Sequence, residues 1–379
     1  MNAPATWLDE RRAEAANRFA ALGVPHRRIE DWKYSDLKTA IGDAVNDAVG
    51  MWTVGDVENG PPLDVDYSYF DMNASPDNLP EWVRVNLGVL PQNAMSSASF
   101  ASARACIAIR VPRGKAVAHP VPLRVEGGGT GRVLVVLEEG ASLTLQETIK
   151  AVGLVNAGVE IVIGANAQLT HIRNAPQTDA VQVEEYSIRV ARDGVYRAHL
   201  FNGGAKLSRA EFQIALAGAN AQAHLSGVSV LGDGAHADVT THITHAVAHT
   251  TSTQLFKHVA GGKSRAVYQG RITVEQGADK SDSRQTAKAL LMGIRAEADL
   301  KPELEIFADD VKCAHGAAVG DLDPNSLFYL RARGIPEAEA RNMLVRAFLE
   351  EAVDEIADET IRATVWQAVE DALPKAMLP

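Results

Sequence analysis

Four phrases decide the architecture of the middle of the chain: Gly140-Ala141-Ser142-Leu143-Thr144-Leu145, Asn166-Ala167-Gln168-Leu169-Thr170-His171, Gly194-Val195-Tyr196-Arg197-Ala198-His199 and Asn220-Ala221-Gln222-Ala223-His224-Leu225. They resemble one another and stand 26, 28 and 26 residues apart. Periods of about 20–50 residues mark stacked repeats, in which each unit buries its apolar face on the next. A coil of two or three short strands and turns fits the spacing, and small residues before each strand suit tight corners. The period predicts a β-helix. A β-sandwich, with turn signals about every 8–12 residues, is the competing architecture.

The repeat lies within a longer strand-rich region, 99–320, with alternating apolar runs at 132–137, 159–163, 182–190, 271–274 and 304–307, each closed by Gly, Asn or Asp. The flanks differ in character. In the N-terminal region, 1–98, residues 4–22 carry Leu8, Ala15, Phe19 and Leu22 near one helical face, with Gly23 and Pro25 to stop the helix. Trp32, in Arg28–Leu37, reads as the anchor of a short helix in a local core. Residues 55–91, rich in Gly, Pro, Asn and Asp, read as loops and short turns. In the C-terminal region, 321–379, Val345, Phe348, Leu349, Ala352 and Ile356 form one apolar stripe. Ile361, Val365, Val369 and Leu373 form another, with the helix expected to end before Pro374. This region holds 12 acidic and 6 basic residues, as a solvated face or as a helical hairpin that docks a partner.

Composition narrows the function. Of 379 residues, 46% are hydrophobic, which excludes disorder, and the net charge of −11 argues against nucleic-acid and membrane-surface binding. Two cysteines make no disulfide framework and suit a reducing cytoplasm. No signal-like apolar segment or membrane-length run is visible. Gly262-Lys263-Ser264 lacks the earlier glycine of a phosphate loop, since Lys257 stands there, so no nucleotide is expected on this chain. Gly127–Gly131 has the wrong spacing for a dinucleotide fingerprint and reads as a loop. His236, His242, His245, His249 and His258 cluster in sequence, but in a strand His242 and His245 face opposite ways, so structural or surface roles are expected. Cys106 has apolar neighbours and reads as core. Cys313 and His315 differ, because an i, i+2 pair in a strand projects both side chains to one face. Thiolate and imidazole are ligands for iron or zinc, and two of them make half a site.

Lys301–Ala317, ending in Asp309-Asp310-Val311-Lys312-Cys313-Ala314-His315-Gly316-Ala317, resembles the SufB/SufD family of iron–sulfur assembly proteins. So do Leu327–Ile335, Thr251–Gln254, Phe256–Val259, Gly270–Ile272 and Glu30–Leu37. The Trp-Lys-Tyr segment and the phrase Lys312–Gly316 sit nearer the SufD-type members than the SufB-type. The resemblance implies a right-handed parallel β-helix between helical terminal regions. It implies a complex of SufB, SufD and two copies of the ATPase SufC, with hydrolysis in SufC, and a homodimer when the chain is alone. It makes His315 and Cys313 interface ligands, shared with SufB, for a nascent iron–sulfur cluster or iron held transiently. It also makes the region of Phe328, Tyr329, Arg331, Arg333, Arg341 and Phe348 a SufC-docking site. The family's link to reduced flavin finds no residues here on which to place one. A SufB-type homodimeric scaffold and a β-helix carbohydrate-active enzyme are the alternatives; missing aromatic platforms count against the latter.

Overall fold

The computed structural model describes residues 6–42, 51–54, 65–72 and 79–376. Helix α1 (Trp7–Leu22) opens on a Thr6–Asp9 capping box and closes at Gly23, whose φ is +70°. Leu8 and Ala15 are buried and Phe19 packs beside Trp32, whereas Leu22, expected on the same face, is 54% exposed because the helix ends there. A 3-10 turn (Glu30–Trp32) and α2 (Leu37–Ile41) follow. Strand β1 (Met51–Val54) pairs antiparallel with a later strand. Residues 55–64 and 73–78, expected as loops, lie outside the described residues. Between them β2 (Asp66–Asp71) forms, and α3 (Glu81–Asn86) follows, correcting the all-loop expectation for 55–91. Helix α4 (Ala94–Ser102), capped by Asn93, spans the 98/99 boundary drawn from the sequence.

The middle is a parallel β-solenoid of about eight turns. Its strands are β3 (Ala105–Val111), β4 (Val121–Leu137), β5 (Ser142–Ile163), β6 (Gln168–Ala175) and β7 (Val181–Val190). Next come β8 (Val195–Asn202), β9 (Leu207–Leu216), β10 (Gln222–Leu231), β11 (His236–His245) and β12 (Thr251–Ala260). The last are β13 (Arg265–Val274), β14 (Asp282–Leu291), β15 (Glu297–Ile306) and β16 (Lys312–Gly320). From β7 onward, odd-numbered strands stack on one face and even-numbered strands on the other, all parallel; β4 and β5 contribute to both faces. That is a β-helix of two strands per coil, not a sandwich.

The corners explain the repeat. Gly140, Asn166, Asp193, Asn220, His249 and Lys280 have φ between 56° and 71°. This left-handed conformation is easiest for Gly and tolerated by Asn and Asp. The residues stack: Gly140 N–H donates to Ala165 C=O, Asn166 to Arg192, Asp193 to Ala219, Asn220 to His249 and His249 to Asp279. The third corner residue is Asp193, one position before Gly194, so the repeat phrase was out of register there by one. His249, one of the clustered histidines, belongs to this corner. Gly127–Gly131, expected as a loop, is a β-bulge inside β4, with φ of 90° at Gly127 and 101° at Gly129.

Inside, register stacks like on like: Ile161, Ile188, Ile214, Ile243 and Ile272 form one buried column. Each contributes about 2 kcal/mol relative to an exposed side chain.

Beyond β16 come α5 (Pro324–Ala332), α6 (Glu337–Val353) and α7 (Glu359–Ala376). The stripes of α6 and α7, including Val345, Leu349, Val365 and Val369, pack on Phe201, Val228, Val230 and Val259 of the even face. Helix α7 continues past Pro374, correcting the expected stop. Proline there removes a single amide in the last turn, and Gly261, without a side chain, lets Ala376 close against the corner at 261–262. No helix among the described residues is long and apolar enough to cross a membrane.

Candidate functional site

The solenoid is capped unequally. Near its start, α4 and its flanking loop cover the odd face through buried polar contacts. Glu160 accepts N–H bonds from Gly88 and Leu90 and pairs with Arg132, and Arg132 donates to Ser96 Oγ at 2.9 Å. Further along, the Trp32 segment is pinned to the same face, and Trp32 lies in a buried local core, as the sequence reading expected. Arg209, fully buried, lies 4.1 Å over the Trp32 ring and bridges Asp238 (2.6 Å) and Glu211 (2.9 Å). Ser35 Oγ donates to Asp238, and Lys301 donates to Glu30 at 2.6 Å.

The far end is open. β15 and β16 each pair with a strand on one side only, so the final coil presents two unpaired edges among the described residues. Register carries the interior columns into it: Cys313 stands on Ser283, His315 on Gln285, Ala317 on Ala287 and Val319 on Ala289. All four partners in β14 are buried. Cys313 and His315 therefore occupy neighbouring interior positions, on one side of the strand, in a coil that nothing among the described residues covers. His315 is exposed; Cys313 is half-buried and, like Leu304, Ala308 and Val311, packs against the cluster of Ile272, Val274 and Ala278. Burial first, and then the Asp282 carboxylate, push the Cys313 thiol above its ordinary range, so this chain alone holds it protonated. Among the described residues no three His, Cys, Asp or Glu side chains gather into a metal-holding group. The pair supplies at most two ligands. Ile306 (42% exposed) at the end of β15, Phe307 (62%) after it and Val319 (48%) in β16 leave apolar side chains exposed on this last coil. Unpaired strand edges with exposed apolar side chains are the surface on which another chain adds.

The suggested docking residues separate. Helix α5 buries none of its residues; Phe328 is 73% exposed and Tyr329 57%. Arg333 lies 4.7 Å over the Tyr329 ring and donates to its hydroxyl at 2.7 Å, while Arg331 and Arg341 both pair with Glu337. These five form one accessible patch on α5 and the start of α6. Phe348 does not join it: it packs in the seam with the solenoid, under Lys257 Nζ at 4.6 Å, and Lys257 also pairs with Glu351.

Three of the clustered histidines are structural. His245 is buried between Thr250 and Ser252 hydroxyls, and His236 meets Ser35. His258 is fully buried without a partner for either nitrogen. Burial lowers all three to about 4, so they are neutral. Cys106 is core, as expected, its thiol raised by burial.

The sequence reading missed an ionisable cluster inside the solenoid. His171 lies 3.0 Å from both Glu147 and Tyr196, Tyr186 donates to Glu147 at 2.7 Å, and Arg173 Nε donates to Glu184 at 2.7 Å. Burial raises Glu184 to about 7. Burial acts likewise on Glu147, but bonds to His171 and Tyr186 and the charge of Arg173 outweigh it and hold that carboxyl low. The available signal was the alternation Gln182, Glu184, Tyr186, Ile188, which shares one face.

Residues 124–348 match the family described as SUF system FeS cluster assembly, SufBD core domain. The iron–sulfur cluster assembly protein SufD of Escherichia coli is 29% identical over 393 residues, covering 93% of this chain and 90% of that one. A SufBD family protein of Synechocystis is 32% identical over 268 residues, 67% of this chain and 58% of the other. One from Mycobacterium tuberculosis is 28% identical over 369 residues, 93% of this chain and 90% of its own.

Proposed function

The chain belongs to the SufBD family of iron–sulfur cluster assembly components, and from that premise we propose that it is a SufD-like, non-catalytic subunit of a cytoplasmic SufB–SufC–SufD scaffold. The observation that carries this is the open last coil, where Cys313 and His315 stand on one side of β16 beside exposed apolar residues and, among the described residues, two unpaired strand edges. A SufB solenoid adds at those edges and contributes the remaining ligands, so the pair helps acquire iron and hold a nascent cluster. The cluster is cargo, completed between two chains and passed on. When SufB is absent, a second copy of this chain takes the same edges.

His315 is the stronger ligand of the two. It is exposed at the mouth, whereas the Cys313 thiol must first lose a proton that burial and Asp282 favour. SufC docks on the accessible patch of α5 and the start of α6, through Phe328, Tyr329, Arg331, Arg333 and Arg341. Its closure on ATP pulls the C-terminal helices. The Lys257–Glu351 pair and the Phe348 seam pass that load to the solenoid two coils below the mouth.

The test is anaerobic cluster reconstitution on the complex with SufB and SufC, comparing native chain with His315→Ala while sizing confirms assembly. Loss of cluster absorbance from an intact complex supports the proposal. Full cluster yield from an intact mutant complex removes His315 from the chemistry and leaves the chain a structural partner.

A further inference from the structure

One coil below His315, in the same interior column, lies Gln285, 1% exposed. Its Nε2 donates to Tyr268 Oη at 2.8 Å. Tyr268 Oη donates to Gln254 Oε1 at 3.0 Å, and Thr241 Oγ1 donates to that same oxygen at 2.6 Å. With both hydroxyls donating to Gln254 Oε1, Tyr268 gives its proton inward and accepts from Gln285, while Gln254 Nε2 is left buried without a partner. The amide of Gln285 is thereby oriented, and its Oε1 is left buried with no donor. An unmet buried acceptor is costly, so a chain that keeps one has a use for it or a partner that arrives later. Gly270, across the solenoid, makes room for this arrangement: a Cβ there would overlap Gln285 Nε2 and crowd Tyr268 Oη.

Neighbouring coils stack about 4.8 Å apart, so a turn of the His315 side chain, exposed and not bonded to Gln285 in the structure, brings its ring within reach of the Gln285 carbonyl. Resting on the assignment of His315 as a ligand for iron cargo, we propose that Gln285 is its positioning residue: Gln285 Oε1 accepts the N–H of one His315 ring nitrogen and leaves the lone pair of the other for iron. Ligating histidines are held this way by a carbonyl or carboxylate on the second nitrogen, which sets tautomer and ring direction together. The hydrogen-bond chain Thr241–Gln254–Tyr268–Gln285 is what keeps the acceptor, rather than the amide N–H, presented to the mouth.

Nitrogen-15 spectra of the histidine rings in the full chain, without iron and at a pH where the rings are neutral, test this directly. His315→Ala identifies the signal, and exposed His119 gives the ratio of an unconstrained ring. The expected tautomer ratio of His315 differs from that of His119 by about fivefold, the bias one neutral hydrogen bond supplies. Gln285→Leu brings it back to the His119 value, and Gln285→Glu, which retains an acceptor, restores the bias. Tyr268→Phe, which frees the amide to turn, also removes it. A native His315 ratio equal to that of His119 overturns the inference even if every variant fails to fold, as does a bias that survives Gln285→Leu in a folded chain. Because no iron is present, failure here is separate from failure of the cluster experiment.

Discussion

Acidification should unfold this protein through its buried histidines, and His258 isolates the effect. Its ring is fully buried beside Tyr268 with both nitrogens unpartnered, and burial lowers it to about 4 from an ordinary 6.5, with Asp238 opposing weakly. In the unfolded chain the ring takes a proton below 6.5; in the folded chain it does not until about 4. The stability held by a lowered histidine is therefore complete above 6.5 and lost as pH falls toward 4. Between pH 7.5 and 5 the loss is about 2 kcal/mol per histidine, from about 1.4 kcal/mol per pH unit. His199, His236 and His245, also lowered to about 4 by burial, add similar amounts. Glu184 runs the other way: raised to about 7, it stabilises the folded chain at low pH and loses that contribution as pH rises through 7, so it returns about 2 kcal/mol on acidification. Urea unfolding at pH 7.5 and pH 5, for native chain and His258→Leu, separates the terms. The variant should lose about 2 kcal/mol less than native over that interval. Equal losses would refute the assignment of His258 as a neutral ring held by burial.

Other expectations follow from packing and from the open end. A Cβ at Gly158 would overlap the Arg132 guanidinium, which pairs with fully buried Glu160. Gly158→Ala should thus cost about 3–5 kcal/mol in urea unfolding, the penalty of a broken buried pair. Leu349→Ala, at a fully buried site in the α6 seam, should cost about 2–5 kcal/mol, with hydrogen exchange accelerating in α6 and α7 while β7 to β11 stay protected. Ile306→Lys with Val319→Lys should weaken association with SufB by roughly tenfold or more without lowering the melting temperature, as measured by titration calorimetry. Phe328→Asp should do the same for SufC and leave SufB binding intact.

Much of the fold was legible because corners demand special residues. Asn166 and Asn220 stand at left-handed positions that few side chains accept, and their spacing is two coil lengths, with the Asp193 corner midway. His249 and Lys280 take the same conformation without a compositional sign, which is why the repeat faded after Asn220. Gly194 drew the third phrase off by one, since a glycine beside an aspartate hides which of them turns the corner. At Gly127–Gly131 a bulge and a loop share the same glycine signature, and only pairing to β5 distinguishes them. Period-two alternation placed Cys313 and His315 on one side of a strand, but not at the mouth, because nothing local marks a coil as last. The Glu147–Glu184 cluster stayed hidden for a similar reason: in adjacent Glu184 and Glu185, alternation alone does not say which faces inward. Phe348 sat on the right helical stripe, and its partner surface was a matter of tertiary packing.

The corner column also bears on how the molecule behaves as a material. Each coil is bonded to the one before and the one after, so the stack is close to a one-dimensional lattice with nearest-neighbour coupling. An interior coil has two neighbours; the coil of β15 and β16 has one. Its opening free energy is therefore the lowest of the stack apart from the ends of the flanking helices, and fraying should propagate inward from Cys313 and His315, one coil at a time. A chain that docks on those edges supplies the missing neighbour. Binding there would then also be annealing: it would sharpen the coil that carries Cys313 and His315, and release would let it loosen again.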